Sequence, residues 1–301
     1  MIIDIDIDDS AGFCWGVVQT IDKVENALSE HKDKQVYVLG QIIHNPKESE
    51  RLEESGLKTI EHKDFEQIDA ENSVVIIRAH GEPPTTYSEA ADKNISIIDA
   101  TCPLVRGLQN SVKKFYKDGW QVVIFGKVNH SEVIGLRGVC NDECVVIKSE
   151  EEAFGKIDFS RKTVLFSQTT MDRPTFCKLS EKIKDKFAEI YSERAKDYFV
   201  TRNSICKFVS RREDKLISFA ESHDFVIFVA GKNSSNGKIL FDISKKANEN
   251  TIFIEDVDEV DFESLAQYKS IGITGATSTP QWFMEHIKNL LSKKFNGIIG
   301  D

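Results

Sequence analysis

Short β-branched runs punctuate the chain, each closed by a glycine or a small polar loop, with amphipathic stretches between them. Val36-Tyr37-Val38-Leu39 stops at Gly40, Val122-Val123-Ile124-Phe125 at Gly126, and Val226-Ile227-Phe228-Val229-Ala230 at Gly231. A second set runs into polar loops. Val74-Val75-Ile76-Ile77 leads to Arg78-Ala79-His80-Gly81, Val164-Leu165-Phe166 to Ser167-Gln168-Thr169-Thr170, and Ile271-Gly272-Ile273 to Thr274-Gly275-Ala276-Thr277-Ser278-Thr279-Pro280. Helical periods follow three cysteines. After Cys14, apolar residues fall at Val17, Ile21, Val24 and Leu28. After Cys102, Pro103 suits a first helical position, and Leu104, Leu108, Val112 and Phe115 follow. After Cys206 the period is weaker: Val209, Leu216 and Ala220.

The offsets agree. Cys14 to Gly40 spans 26 residues, Cys102 to Gly126 spans 24 and Cys206 to Gly231 spans 25. Cys14 to His80, Cys102 to Thr169 and Cys206 to Ser278 span 66, 67 and 72. This predicts an α/β fold built from three similar small α/β domains, each a parallel-type sheet flanked by helices. The expected units are 1–102 with the N-terminal strand and Cys14, 103–205 entered from Cys102, and 206–301 entered from Cys206 and including the C-terminal tail.

Composition narrows the class. The 301 residues are 40% hydrophobic and 29% charged, with a net charge of -10. That balance offers no basic stripe for phosphates and excludes a general nucleic-acid binder. No apolar run approaches the roughly 18 residues of a membrane span. The start, Met1-Ile2-Ile3-Asp4-Ile5-Asp6-Ile7-Asp8, has neither a basic nor an apolar leader region, so a cytoplasmic chain is expected. A chain of this length needs no disulfide staples, which leaves Cys14, Cys102, Cys140, Cys144, Cys177 and Cys206 as core thiols, metal ligands or redox groups.

Cys14, Cys102 and Cys206 each sit where the chain enters a helix, a place that favours a thiolate. Around a pseudo-threefold axis they would converge as a trigonal set of three sulfurs, one ligand short of a tetrahedral site. Zinc fits poorly, because catalytic zinc usually takes histidine and structural zinc is closed by a fourth ligand. A [4Fe–4S] cluster with three cysteines would keep one iron open, against the usual four. The pair in Cys140-Asn141-Asp142-Glu143-Cys144 lies outside the repeated positions and reads as structural, as does Cys177.

The strand-end loops carry His44, His80, His130, Thr169, Ser234, Asn236 and Ser278, where parallel sheets place their ligands. Imidazoles, hydroxyls and amides in a ring suit a diphosphate with few fixed positive charges. Glu132 is the acid embedded in these loops, fit for a proton donor or relay. No dinucleotide fingerprint or P-loop accompanies them.

Taken together, these residues resemble the 4-hydroxy-3-methylbut-2-enyl diphosphate reductase (LytB) family over residues 10 to about 290. Gly12-Phe13-Cys14, Ala100-Thr101-Cys102-Pro103-Leu104-Val105 and Ser204-Ile205-Cys206 are similar to its cysteine motifs. Ile43-His44-Asn45, Arg78-Ala79-His80-Gly81 and Asn129-His130-Ser131-Glu132-Val133 are similar to its histidine loops and catalytic glutamate. Gln168-Thr169-Thr170, Ser234-Ser235-Asn236 and Ala276-Thr277-Ser278-Thr279-Pro280 are similar to its remaining substrate loops.

The resemblance implies a three-domain cloverleaf around a central [4Fe–4S] cluster, held by Cys14, Cys102 and Cys206 with one open iron. It implies reductive dehydroxylation of (E)-4-hydroxy-3-methylbut-2-enyl diphosphate to isopentenyl and dimethylallyl diphosphate, the last step of the methylerythritol phosphate route. His44, His80, His130, Ser234, Asn236 and Ser278 would grip the diphosphate, with Ser235 nearby. Glu132 and Thr169 would manage protons and the allylic hydroxyl. A ferredoxin or flavodoxin would supply electrons to a monomer, with Arg106, Arg211 and Arg212 as candidate docking charges.

The chain departs from the family at Trp15, Arg106 and Arg211-Arg212-Glu213, all after the cysteines. Two other readings keep the thiols: a [4Fe–4S] hydro-lyase on a related phosphorylated substrate, which needs no reductant, and a non-enzymatic iron–sulfur sensor, which needs no diphosphate ring.

Overall fold

The computed structural model describes residues 2–210 and 212–297; Arg211 and the tail through Asp301 lie outside the described residues. Strand β1 (Asp4–Ile7) opens the chain. Strands β2 (Gln35–Leu39), β3 (Lys58–Ile60), β4 (Ser73–Ile77) and β5 (Ser96–Asp99) form a sheet of order β3-β2-β4-β5. Strands β6 (Gln121–Phe125), β7 (Val145–Ile147), β8 (Thr163–Ser167) and β9 (Phe199–Thr201) form a second, β7-β6-β8-β9. Strands β10 (Phe225–Val229), β11 (Thr251–Ile254) and β12 (Ser270–Gly275) join β1 in a third, β1-β12-β10-β11. All recorded strand pairings are parallel.

The three sheets share one topology. In each, a first strand is flanked by the second and third, and a fourth lies outside the third. In the last sheet that fourth place is filled by β1, whose Ile5 and Ile7 sit opposite Ile271 and Ile273 of β12. The N-terminal strand, expected with the first repeat, therefore completes the third sheet. Its pattern favours this: Ile3 and Ile5 alternate with Asp4 and Asp6, and they pack on Phe283, Met284, Ile287 and Leu291 of the last helix, Gln281–Asn296. An alternating edge strand with one apolar face needs a sheet edge to complete it.

The chain divides into two compact units. One comprises the described residues up to Glu25, Gln41–Leu57 and the described residues from Lys207 onward; the other comprises Asn26–Gly40 and Lys58–Cys206. Within the second unit, the inner strands β6 and β8 are buried throughout, as parallel strands covered on both faces must be. Val122, Ile124, Val164 and Phe166 meet Leu108 and Val112 of the helix Pro103–Lys117 on one face. Val123, Phe125 and Leu165 meet Phe176, Leu179, Ile183 and Phe187 of the helix Arg173–Tyr191 on the other.

Helices Trp15–Glu30 and Pro103–Lys117 follow their cysteines as the periodicity predicts. The weaker period after Cys206 corresponds to two shorter helices, Lys207–Ser210 and Glu213–Glu221. Among the described residues, no helix is long and apolar enough to cross a membrane.

Candidate active site

Within the second unit, strand ends converge on a buried carboxylate. His130 caps the helix Ser131–Gly138, its Nδ1 accepting from the Glu132 N–H at 3.2 Å. That cap aims Glu132 inward, where it is 1% exposed. The loop after β8 meets it: Thr169 donates to Glu132 Oε1 from its backbone N–H at 2.7 Å and to Oε2 from its hydroxyl at 2.6 Å. Burial lifts the Glu132 carboxyl to about 7, against the two Thr169 donors, which favour the carboxylate.

Close loop packing makes this geometry possible. A Cβ on Gly126 would fall 2.9 Å from Val133 Cγ2 and 3.1 Å from Gln168 Cβ. Gln168 Oε1 accepts from the Lys127 N–H at 3.1 Å, so the ends of β6 and β8 are pinned together.

His80 comes from the loop after β4, whose turn closes through Gly81 at φ 71°. Its ring stands edge-on to His130, with centroids 5.5 Å apart and planes at 85°. Cys102 and Cys206 are tied to these same loops: the Cys102 N–H donates to Ala79 O at 3.0 Å and the Cys206 N–H to Thr169 O at 2.8 Å. Asp99 supports the first tie, accepting from the Thr101 N–H at 2.9 Å and pairing with Arg106 at 2.6 Å. Asp99 is a supporting residue that the sequence pattern does not single out, its one signal being its place just before Ala100-Thr101-Cys102.

The first unit assembles the other predicted residues. Ser234 caps the helix Ser235–Ala247, its hydroxyl accepting from the Gly237 N–H at 3.0 Å. Asn236 donates to Thr277 Oγ1 at 2.8 Å, while its Oδ1 is buried without a hydrogen-bond partner. The Cys14 N–H donates to Thr277 O at 3.1 Å. Ser278 Oγ reaches the carbonyl of His44 at 3.5 Å. Gly231 permits that backbone approach, because a Cβ there would fall 2.3 Å from His44 O. Each predicted loop residue thus lies with others of its set: Glu132, Thr169, His80 and His130 in one unit, and His44, Ser234, Ser235, Asn236 and Ser278 in the other.

Two expectations change. Arg212 is not a surface docking charge. It is 5% exposed, with Nη2 at 3.6 Å from Asp8 Oδ2 and 3.2 Å from Thr274 Oγ1, and Thr274 donates to Asp8 Oδ2 at 2.7 Å. Arg106 is half exposed but already paired with Asp99.

The second change concerns the cofactor, expected as one [4Fe–4S] cluster held by Cys14, Cys102 and Cys206 with an open iron. Among the described residues, the side chains placed to hold a metal ion are histidines, and the thiols form no such group. A helix N-terminus was expected to favour a thiolate at Cys102, and the N–H groups of Leu104 and Val105 do act that way. Burial outweighs them and pushes the Cys102 thiol up, with Cys206 and Glu132 adding to the rise. Because the thiols form no group placed to hold a metal ion, the three-thiol ligand set is corrected and carries no mechanistic step.

A family model described as LytB protein matches residues 5–292. The chain belongs to the LytB family. Among curated relatives, the 4-hydroxy-3-methylbut-2-enyl diphosphate reductase of Chloroherpeton thalassium is 44% identical over 311 residues, covering 97% of each chain. The enzyme of that name from Bacteroides fragilis is 45% identical over 294 residues, covering 96% of this chain and 98% of its own. Solved structures are similar to this chain as well. The E-1-hydroxy-2-methyl-but-2-enyl-4-diphosphate reductase of Plasmodium falciparum aligns with a TM-score of 0.83 at 27% identity, over 97% of this chain and 89% of its own. A structure described as (E)-4-hydroxy-3-methyl-but-2-enyl diphosphate reductase, the terminal enzyme of the non-mevalonate pathway, aligns with a TM-score of 0.70 at 32% identity, over 97% and 100%.

Proposed function

We propose that this LytB-family chain is a [4Fe–4S]-dependent reductase that removes the allylic hydroxyl of (E)-4-hydroxy-3-methylbut-2-enyl diphosphate, giving isopentenyl and dimethylallyl diphosphate as the last step of the methylerythritol phosphate pathway. Relatives of that name match nearly the whole chain. The reaction takes two electrons and two protons and releases one water.

The observation that carries the residue roles is the Glu132–Thr169 pair. A carboxyl near 7 is matched to proton transfer at neutral pH. With Glu132 ionised, the Thr169 hydroxyl donates to Oε2. With Glu132 protonated, the same 2.6 Å contact reverses, and the Thr169 hydroxyl hydrogen is released toward substrate. Glu132 thus serves as the proton reservoir and Thr169 as the contact to the allylic hydroxyl. His44, His80, His130, Ser234, Asn236 and Ser278 bind the diphosphate, with Ser235 beside them. The open acceptor of Asn236, Oδ1, suits a protonated phosphate oxygen or a bound water. A small iron–sulfur or flavin protein, of the ferredoxin or flavodoxin class, supplies the electrons.

The test is anaerobic turnover of the allylic diphosphate with an artificial one-electron donor. Isopentenyl and dimethylallyl diphosphate are the expected products. Absence of both overturns the reading, and a dehydrated but unreduced product formed without any reductant favours a hydro-lyase.

A further inference from the structure

The turn Cys140-Asn141-Asp142-Glu143-Cys144 takes no part in the chemistry above, yet it is built with unusual care. The helix Ser131–Gly138 closes with bonds from the Cys140 N–H to Arg137 O at 2.9 Å and from the Asp142 N–H to Arg137 O at 3.0 Å. Asn141 and Asp142 are consecutive non-glycine residues in the left-handed region, at φ 52° and 62°. Such conformations persist where surrounding structure enforces them. Here the clamps are visible. Arg137 pairs with Asp142 at 3.0 Å, and the Tyr116 hydroxyl donates to Glu143 at 2.8 Å while accepting from Asn141 at 3.2 Å.

The doubled-back chain returns Cys144 to Cys140, and the two thiols share a hydrogen bond. Cys140 is wholly buried among Val133, Leu136 and their neighbours, and Cys144 lies partly exposed at the rim of the same cluster. Both cysteines are free, so the sulfurs are held together without a covalent link.

We propose that Cys140 and Cys144 form a redox-modification site, a dithiol that peroxide converts reversibly to an intramolecular disulfide. Cys144 is the attacking sulfur: it accepts the Cys140 hydrogen bond and lies near Arg137, and both favour its thiolate. Cys140 keeps its proton, through its bond to Cys144 and its burial. The Cys144 thiolate attacks one peroxide oxygen, the O–O bond breaks, and a sulfenic acid and hydroxide result. The Cys140 sulfur then attacks Cys144, forming the S–S bond and expelling the hydroxyl, which leaves as water with the Cys140 proton. In sum, two thiols lose two electrons and two protons, and one peroxide becomes two waters. A dithiol reductant reverses the step by exchange. In a reducing compartment such a bond is transient and serves sensing rather than stability. It forms two residues beyond the helix whose first turn carries Glu132, so oxidation fastens the far end of the catalytic helix.

Trypsin releases both thiols on one peptide, Gly138–Lys148, bounded by Arg137 and Lys148. The native chain is treated with graded hydrogen peroxide, quenched with an alkylating agent and digested. The expected result is loss of two hydrogens from Gly138–Lys148, restored by a dithiol, at doses that leave the exposed Cys177 alkylated. Cys140→Ala should instead leave a Cys144 sulfenic acid that a dione reagent traps. Urea-unfolded protein should lose the selectivity over Cys177. Alkylation of both thiols in native protein after Cys177 has oxidised, or direct passage of Cys144 to sulfinic acid in the unsubstituted chain, overturns the proposal.

Discussion

Thr169 donates to both oxygens of the Glu132 carboxylate, through its backbone N–H at 2.7 Å and its hydroxyl at 2.6 Å. The residues are 37 apart in sequence, and the contact joins the end of β8 to the first turn of the helix after β6. It satisfies a carboxylate that burial would otherwise leave unpaired.

Glu132→Gln keeps the shape of that site and removes its proton. Turnover should fall by about 10²–10⁴-fold, the range for loss of a general acid. Circular dichroism and thermal unfolding should show an intact fold. Near-normal turnover would remove Glu132 from the chemistry.

The pH dependence has a fixed sign. Glu132 is raised from an ordinary 4.5 to about 7, so folding favours its neutral form. Its stabilising contribution is full below about 4.5 and is lost as pH rises through about 7. Activity that needs the proton should decline over the same upper limb. Rate profiles and unfolding midpoints between pH 5 and 9 check both, with Glu132→Gln flattening the stability trend in that window.

Thr169→Ser retains the hydroxyl and should keep most activity, whereas Thr169→Ala removes a donor that favours the carboxylate. The alanine variant should raise the Glu132 pKa further and move the alkaline limb of the rate profile upward while lowering kcat. A limb that stays in place would separate Thr169 from proton handling.

Gly231→Ala places a methyl 2.3 Å from the carbonyl oxygen and 3.0 Å from the carbonyl carbon of His44, both backbone atoms. The loop must shift, at about 1–3 kcal/mol by analogy with overpacked cores. Thermal unfolding should register that loss, and KM for the diphosphate substrate should rise more than kcat falls.

Much of this protein is legible in its sequence because local rules write it there. Runs such as Val122-Val123-Ile124-Phe125, short, β-branched and closed by a glycine, read as inner parallel strands, and β6 is buried throughout. The threefold recurrence of strand, glycine and polar loop fixes where the polar loop residues fall, since parallel strands end on one edge. Glu132 was legible for the same reason.

What only tertiary structure decided depends on burial and on contacts far apart in sequence. β1 resembles a beginning, but its place is set by the vacant edge of β12, about 265 residues away. Arg212 reads as a surface charge until Asp8 and Thr274 close around it. Cys102 sits where a helix N-terminus favours a thiolate, yet burial overrides the dipole and raises the thiol. The proton of Glu132 depends on the same balance: the sequence places the carboxyl, but the folded chain removes the water that would have kept it ionised.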